Sequence, residues 1–291
     1  MSVARRVVLV AVGAMAIVIG LGLIALLRSE GVPGPEPSTP SELVEETLLL
    51  QVLDGEGYAL GNVVLGIEPP DARPETVFLA LPSSLLVPAG DDSITLGNTS
   101  SSADTLAAVN AVQDGVGVRI DAGIILERLA FAGLVDAIDG LWVDLDRPVL
   151  LPTVGDGQWR TLGPGLVKMD GIAAADYAVM RLPGETEQAR IDRFLGILEE
   201  TLARLPRTSE QMRQLLTSLG SLAQTTVPTE DLVPFFMQVR ADVVSERTQS
   251  QTLPVTVIRG GLRPASVAGP EAPTLVQSLF ADARMTTGSG G

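Results

Sequence analysis

The sequence predicts one N-terminal transmembrane helix followed by a single α/β domain with a central mixed sheet flanked by helices. Three observations carry this expectation. Residues 7–27 form an uncharged, apolar run. The chain after residue 42 opens with short Val- and Leu-rich stretches separated by Gly, Pro and Asp, the pattern of buried strands. From residue 103 onward, apolar residues recur at helical spacing, with strand-like runs between the helical segments.

Taken in order, residues 7–27 (VVLVAVGAMAIVIGLGLIALL) are long enough, at about 1.5 Å per residue, to cross a hydrocarbon core of about 30 Å. The run continues to Leu27 and is followed by Arg28, Ser29 and Glu30, so it reads as an anchor and not as a cleaved signal. Arg5 and Arg6 precede it, whereas Arg28 beyond it is offset by Glu30, Glu36, Glu42 and Glu45. The positive-inside rule then places residues 1–6 in the cytoplasm and the bulk of the chain extracytoplasmic, as a single-pass protein of the cell membrane. Residues 28–42 are dense in Pro, Gly and acidic side chains and are expected to form an extended stalk. The small-residue tail at 285–291 is expected to be disordered. One domain remains, at 43–284.

Within that domain, residues 48–53, 62–67 and 76–81 are predicted strands. Helices are predicted at 103–112 and at 122–138, the second on the spacing of Ile124, Ile125, Leu129, Val135 and Ile138. A strand at 141–145 follows, then a Gly/Pro-rich stretch. Helices are predicted next at 171–180, 186–205, 210–223 and 229–243, then a strand at 253–258 and a last helix at 272–280.

Composition narrows the chemistry. With 20 Lys and Arg against 35 Asp and Glu, the formal charge is −15, which argues against nucleic acid as a partner because phosphate-backbone binding needs a basic footprint. Lys168 is the only lysine, and His and Cys are absent. That composition excludes a Ser-His-Asp triad, a Cys nucleophile and a His/Cys zinc site. Any catalysis must rest on carboxylates, Arg, hydroxyls and backbone.

Several polar residues stand out. Arg190 and Arg193 lie three apart near the start of a predicted helix, where Glu187 is placed to pair with Arg190; this reads either as a solvated face or as an anion site. Arg181, at a predicted helix end, reads either as a cation on the last carbonyls or as part of that anion site. Ser83 and Ser84 close a predicted strand and carry hydroxyls able to donate to a phosphate. Asp121 and Asp136 are read as turn and helix-start residues, and Lys168 as an exposed loop residue.

Four blocks give the chain a family likeness. VRIDAGIILERLAFAGLVDAIDGLWVDL (118–145) and LGPGLVKMDGIAAADYAVMR (162–181), followed by GETEQARIDRFL (184–195) and LPVTVIRGG (253–261), resemble in order and spacing the sequence blocks of the LytR-CpsA-Psr family. The resemblance covers nearly the whole outer domain. It implies an outward-facing, single-span bacterial protein of cell-wall biogenesis. Members of the family move a glycopolymer from a polyprenyl-pyrophosphate carrier to peptidoglycan or a comparable acceptor. Arg forks hold the pyrophosphate, carboxylates hold Mg²⁺, and an apolar cleft takes the prenyl tail.

Carried onto this chain, the resemblance implies pyrophosphate contacts from Arg181, Arg190 and Arg193, with Glu187, Ser83 and Ser84 as polar contributors. The chain departs from the family pattern at other places. Leu60, Gly61 and Asn62 stand where an Asp opens the early strand, and Ser83 and Ser84 replace an Arg-Asp pair. Val179 stands where the first Arg after the family's Tyr is usual, and Phe194 where Gln is usual. The expectation is a protein that binds polyprenyl (pyro)phosphate-linked glycopolymer with weak or lost catalysis; catalytic and metal ligands are unassigned, and Mg²⁺ enters only if the protein is active. Two alternatives stay open: an active glycopolymer–peptidoglycan phosphotransferase, and a non-catalytic interaction partner of envelope-assembly enzymes.

Overall fold

Strands β1 (Glu46–Leu53), β2 (Ala59–Ile67) and β3 (Thr76–Ala80) form an antiparallel meander at the centre of the sheet. The computed structural model describes residues 46–68, 76–102, 105–152, 158–259 and 264–281. The expected cytoplasmic residues 1–6, anchor (7–27), stalk (28–42) and tail (285–291) lie outside the described residues. Among the described residues no helix is long and apolar enough to cross a membrane.

The meander is extended on both sides. β6 (Ala122–Leu126) joins β1 in parallel, and β11 (Ala223–Thr225) closes that edge antiparallel to β6. β12 (Thr248–Thr252) joins β3 in parallel at the other edge. The result is a six-stranded mixed sheet of order β11-β6-β1-β2-β3-β12.

Its central strands read as continuous apolar runs because both faces are covered. Leu48, Leu50, Val52, Val63, Leu65 and Phe78 point into one core, packed beneath α2 (Arg128–Ala137), α3 (Gly171–Val179), α4 (Glu187–Arg204), α5 (Ser209–Ser218) and α6 (Thr229–Val244). The alternate residues Leu49, Val64, Val77 and Leu79 enter a second core under α1 (Thr105–Val116) and α7 (Ala272–Leu279). This is the period-two alternation of a strand expressed on both sides of one sheet.

The structure corrects the predicted element boundaries at three places, and the loop reading of Lys168 as well. Residues 122–126 are strand β6, not the beginning of a helix; the helix α2 starts only at Arg128. Gly123 makes the central strand position workable, since a Cβ there would lie 2.4 Å from Val109 Cγ2 on α1. The helix predicted to reach residue 223 ends at Ser218, and Gly220, at φ 55°, turns the chain through a 3₁₀ turn into β11. The strand expected from 253 begins at Val255, and the polar stretch before it, Thr-Gln-Ser-Gln-Thr, is the edge strand β12.

The Gly/Pro-rich stretch is a bent β-ribbon. β7 (Leu141–Leu145) pairs with β10 (Gly165–Met169), and further out β8 (Val149–Pro152) pairs with β9 (Trp159–Leu162). Lys168 therefore sits on a strand, where its Nζ donates to Asp139 at 2.8 Å. Asp136 accepts the Gly171 N–H at 2.7 Å and ties the end of α2 to the start of α3. Asp121 accepts from the Thr47 backbone and hydroxyl ahead of β6. Smaller ribbons, β4 (Leu86–Ala89) with β5 (Asp92–Thr95) and β13 (Val255–Ile258) with β14 (Ala265–Ala268), flank the sheet.

Candidate functional site

Strands β6, β1, β3 and β12 run in one direction, so their carboxyl ends share one edge of the sheet, the edge at which α/β sheets bind ligands. A cavity of about 1100 Å³ opens there. Its lining comes from the β1–β2 turn (Asp54, Glu56, Tyr58), the residues after β3 (Ser83, Ser84), the start of α2 (Arg128), and the α3–α4 segment from Asp176 to Arg190.

The α3–α4 segment is fixed at the start of α4. Thr186 caps the helix by accepting the Ala189 N–H at 3.2 Å, and Glu187 occupies the first turn, where the helix dipole favours an anion. Glu187 then gathers the polar residues. Arg190 donates to it from Nε (3.1 Å) and Nη2 (2.8 Å), and Ser83 donates from its backbone N–H (3.2 Å) and its hydroxyl (2.9 Å). Arg190 Nη1 donates onward to the Leu60 carbonyl. Burial pushes the Glu187 carboxyl up in pKa, but the bonds and charge of Arg190, with Ser83 and Arg181, outweigh it and hold the group below its usual range.

The arginines have different fates. Arg190, 2% exposed, is the largest fully buried side chain among the described residues, so the pair with Glu187 is no solvated helix face. Arg193 is also buried, but outside the cavity lining: it donates to Glu185 from Nε (2.9 Å) and Nη2 (2.7 Å) and to the Met180 carbonyl (2.6 Å), and its guanidinium lies 4.9 Å from the Tyr177 ring centre. It clamps the turn between α3 and α4. Arg181 is exposed at the mouth, with a 3.4 Å contact to the Ser83 hydroxyl. Ser84 shares a 2.9 Å hydroxyl contact with Ser266 of β14, which brings that ribbon to the cavity rim.

Asn62 does not reach this network. It is buried beside Gln51, its partner across β1 and β2, whose amide donates to it at 2.8 Å and to the Thr99 hydroxyl at 3.2 Å. The stretch Leu60–Asn62, where the resemblance leads one to expect a carboxylate, thus carries a neutral amide paired with Gln51.

One part of the cavity escaped the sequence reading. Arg128 Nη1 donates to Asp176 Oδ1 at 2.6 Å, and both residues line the cavity. Two signals could have found them: Asp176 interrupts an otherwise Ala-rich helix, and Arg128 opens α2 at the end where the dipole disfavours a cation.

The residues present do not fit Mg²⁺. The ion asks for near-octahedral oxygen ligation with at least one available carboxylate. Here Glu187, Glu185 and Asp176 are each committed to an arginine, Asp54 Oδ1 accepts the N–H groups of Glu56 (2.8 Å) and Tyr58 (2.9 Å), and Glu56, exposed on the lining, belongs to no cluster of three described acidic side chains. Among the described residues no group of three or more acidic side chains gathers to hold an ion.

Fold and cavity together define an α/β domain with an arginine- and carboxylate-lined pocket at the carboxyl ends of its parallel strands. The model of the LytR_cpsA_psr family matches residues 101–274, and the chain belongs to that family. Its fold is shared with TagV of B. subtilis (TM-score 0.65, 15% identity, 82% of this chain and 98% of that one). It is shared also with a LytR-Csp2A-Psr enzyme from Actinomyces oris (TM-score 0.60, 16% identity, 82% and 90%). TagT bound to LIIa-WTA is similar as well (TM-score 0.62, 15% identity, 83% and 91%). No curated protein matches the chain in sequence.

Proposed function

We propose that the protein is a membrane-anchored component of cell-envelope biogenesis whose cavity binds a polyprenyl (pyro)phosphate-linked glycopolymer, with weak or lost catalysis. The observation that carries this reading is the state of the cavity's charges. Arg181 stands exposed at the mouth beside the Ser83 hydroxyl, available to an anionic head group. Three of the cavity's carboxylates, Glu187, Glu185 and Asp176, are tied to Arg190, Arg193 and Arg128. Apolar side chains, Tyr58, Leu60, Val179, Met180 and Leu182, line the same cavity and suit the first part of a prenyl tail. The glycopolymer ligand is supported by family membership and by the similar TagT bound to LIIa-WTA.

The test is binding of prenyl monophosphate against the neutral prenyl alcohol. Arg181→Ala is expected to weaken the phosphate severalfold and to flatten its salt dependence, leaving the alcohol unchanged. Equal binding of both ligands to wild type and variant overturns the head-group site. Robust Mg²⁺-dependent turnover of a prenyl-pyrophosphate glycan by the wild-type protein overturns the reading of weak or lost catalysis.

A further inference from the structure

One wall of the cavity, formed by Arg128, Asp176 and Pro152, takes no part in the head-group site. The Asp176 side chain is 7% exposed, and its Oδ2 is buried with no hydrogen-bond partner among the described residues. Burial raises its pKa, against the opposing charge and hydrogen bond of Arg128. A carboxylate oxygen only accepts and a guanidinium only donates. Side by side, the two match a group that does both, and a sugar hydroxyl is such a group.

Pro152 stands directly across β8–β9 from Trp159, so the pyrrolidine and indole rings share one face of the ribbon as nearest neighbours. Trp159 is 56% exposed, and Leu150, two residues before Pro152 and on the same face, is exposed too. The opposite face fastens the ribbon down: Leu151 is buried, and Arg160 reaches Asp170 at 3.3 Å. Pro152 lines the polar cavity, and the exposed Trp159 adjoins it on the ribbon, outside the lining itself. A pyranose has the complementary build, with an apolar C–H face and a rim of hydroxyls, and aromatic surface beside a few placed polar groups is how such ligands are held.

We propose that Trp159, Pro152, Arg128 and Asp176 form a saccharide subsite, in which the two rings carry the apolar face of a sugar and the ion pair meets its hydroxyls. The inference rests on the glycopolymer reading and extends it from the anionic head to the sugar. A membrane surface would also suit an exposed tryptophan, but it leaves the half-satisfied ion pair beside the platform without a role.

The test uses the full chain in lipid nanodiscs, with Trp142→Phe making Trp159 the only indole. The probes are prenyl pyrophosphate carrying an N-acetylglucosamine disaccharide, the same carrier without sugar, and the neutral oligosaccharides chitotetraose and maltotetraose. Trp159 emission is expected to shift to the blue and resist iodide quenching with the sugar-bearing carrier, and to stay unmoved by the bare one. In an otherwise wild-type chain, Trp159→Ala weakens the sugar-bearing carrier about tenfold and leaves the bare carrier unchanged. Asp176→Asn, close in shape but neutral, acts in the same direction.

Sugar-bearing carrier bound by Trp159→Ala and Asp176→Asn as tightly as by wild type overturns the subsite. Silence of Trp159 to every sugar probe does so as well, whether or not the bare carrier binds. Quenching of Trp159 by brominated lipid in the absence of ligand also overturns it, by assigning the face to the membrane. A response to the neutral oligosaccharides with neither carrier bound keeps the subsite and removes the head-group reading.

Discussion

The ring of Phe194 on α4 lies against the backbone of Gly61 in β2, so closely that a Cβ at Gly61 would stand 2.3 Å from Phe194 Cε2. Both residues sit where the chain departs from the family pattern, and the contact joins them into one packing unit. Gly61→Ala is expected to destabilise the domain by about 1–3 kcal/mol through overpacking. Phe194→Leu in the same chain should recover part of that loss, because a smaller side chain yields room to the new methyl. Urea unfolding of the two single variants and the double variant gives the coupling, and additive losses would show that the contact is not the cause.

Arg193 and Glu185 form a buried pair, each 7% exposed at the side chain. Arg193→Ala leaves the carboxylate without its partner, and the expected loss is about 3–5 kcal/mol, seen as a lower urea midpoint. Prenyl monophosphate binding should weaken as well, but only through loosening of the 180–186 turn. The same variant studied well below its unfolding midpoint should therefore keep most of the salt dependence carried by Arg181.

Glu187 sets the acid sensitivity. Its folded pKa is lowered, so its contribution to stability is fully present above the unfolded carboxylate value of about 4.3 and is lost as pH falls through the folded value. The stability gap between wild type and Glu187→Gln should be widest near neutral pH and close in the acid limb, as unfolding midpoints from pH 7 down to pH 3 would show. At neutral pH the variant should also bind prenyl monophosphate more tightly, because Arg190 gives up an anionic partner. Weaker phosphate binding by the variant would count against Arg190 as a second hydrogen-bond donor to the phosphate.

The orientation expected from Arg5 and Arg6 is open to a direct check. A periplasm- or surface-dependent reporter fused to the C-terminus should be active, and exchanging Arg5 and Arg6 for Glu should lower the exported fraction severalfold. A protease-protected C-terminus in intact cells would reverse the proposed topology.

How much of this was legible in the sequence depended on how buried each element is. β1, β2 and β3 announced themselves because both faces of each are covered, which leaves apolar residues at most positions, on either face. β6 was hidden by the same property: its apolar run leads into α2 with only Glu127 between them, and periodicity alone does not separate a buried strand from a helix. β12 was missed for the opposite reason, since an edge strand of Thr, Gln and Ser carries no apolar signal.

At the site, the family blocks led to Arg181, Arg190, Arg193, Glu187, Ser83 and Ser84; all but Arg193 line one cavity. Their depth was not readable. A helical Arg three residues after Glu looks solvated until the Leu60 carbonyl and Ser83 are seen to close over it. Arg128 and Asp176 lie 48 residues apart in sequence, and only the packing of α2 against α3 makes them a pair.

The contact between Ser84 and Ser266 spans 182 positions of the chain, and the Ser266 N–H donates to the Ser84 carbonyl at 2.8 Å as well. It sets an order in time. During synthesis the strand ends, the arginines and Glu187 all emerge before the ribbon that completes the rim, so the half-made chain carries the recognition groups around an open gap. Non-local closure of this kind is slow to form, and it comes last. A chain that ends before β14 therefore holds Arg181, Glu187 and Arg190 without the strand that closes the rim beside Ser84.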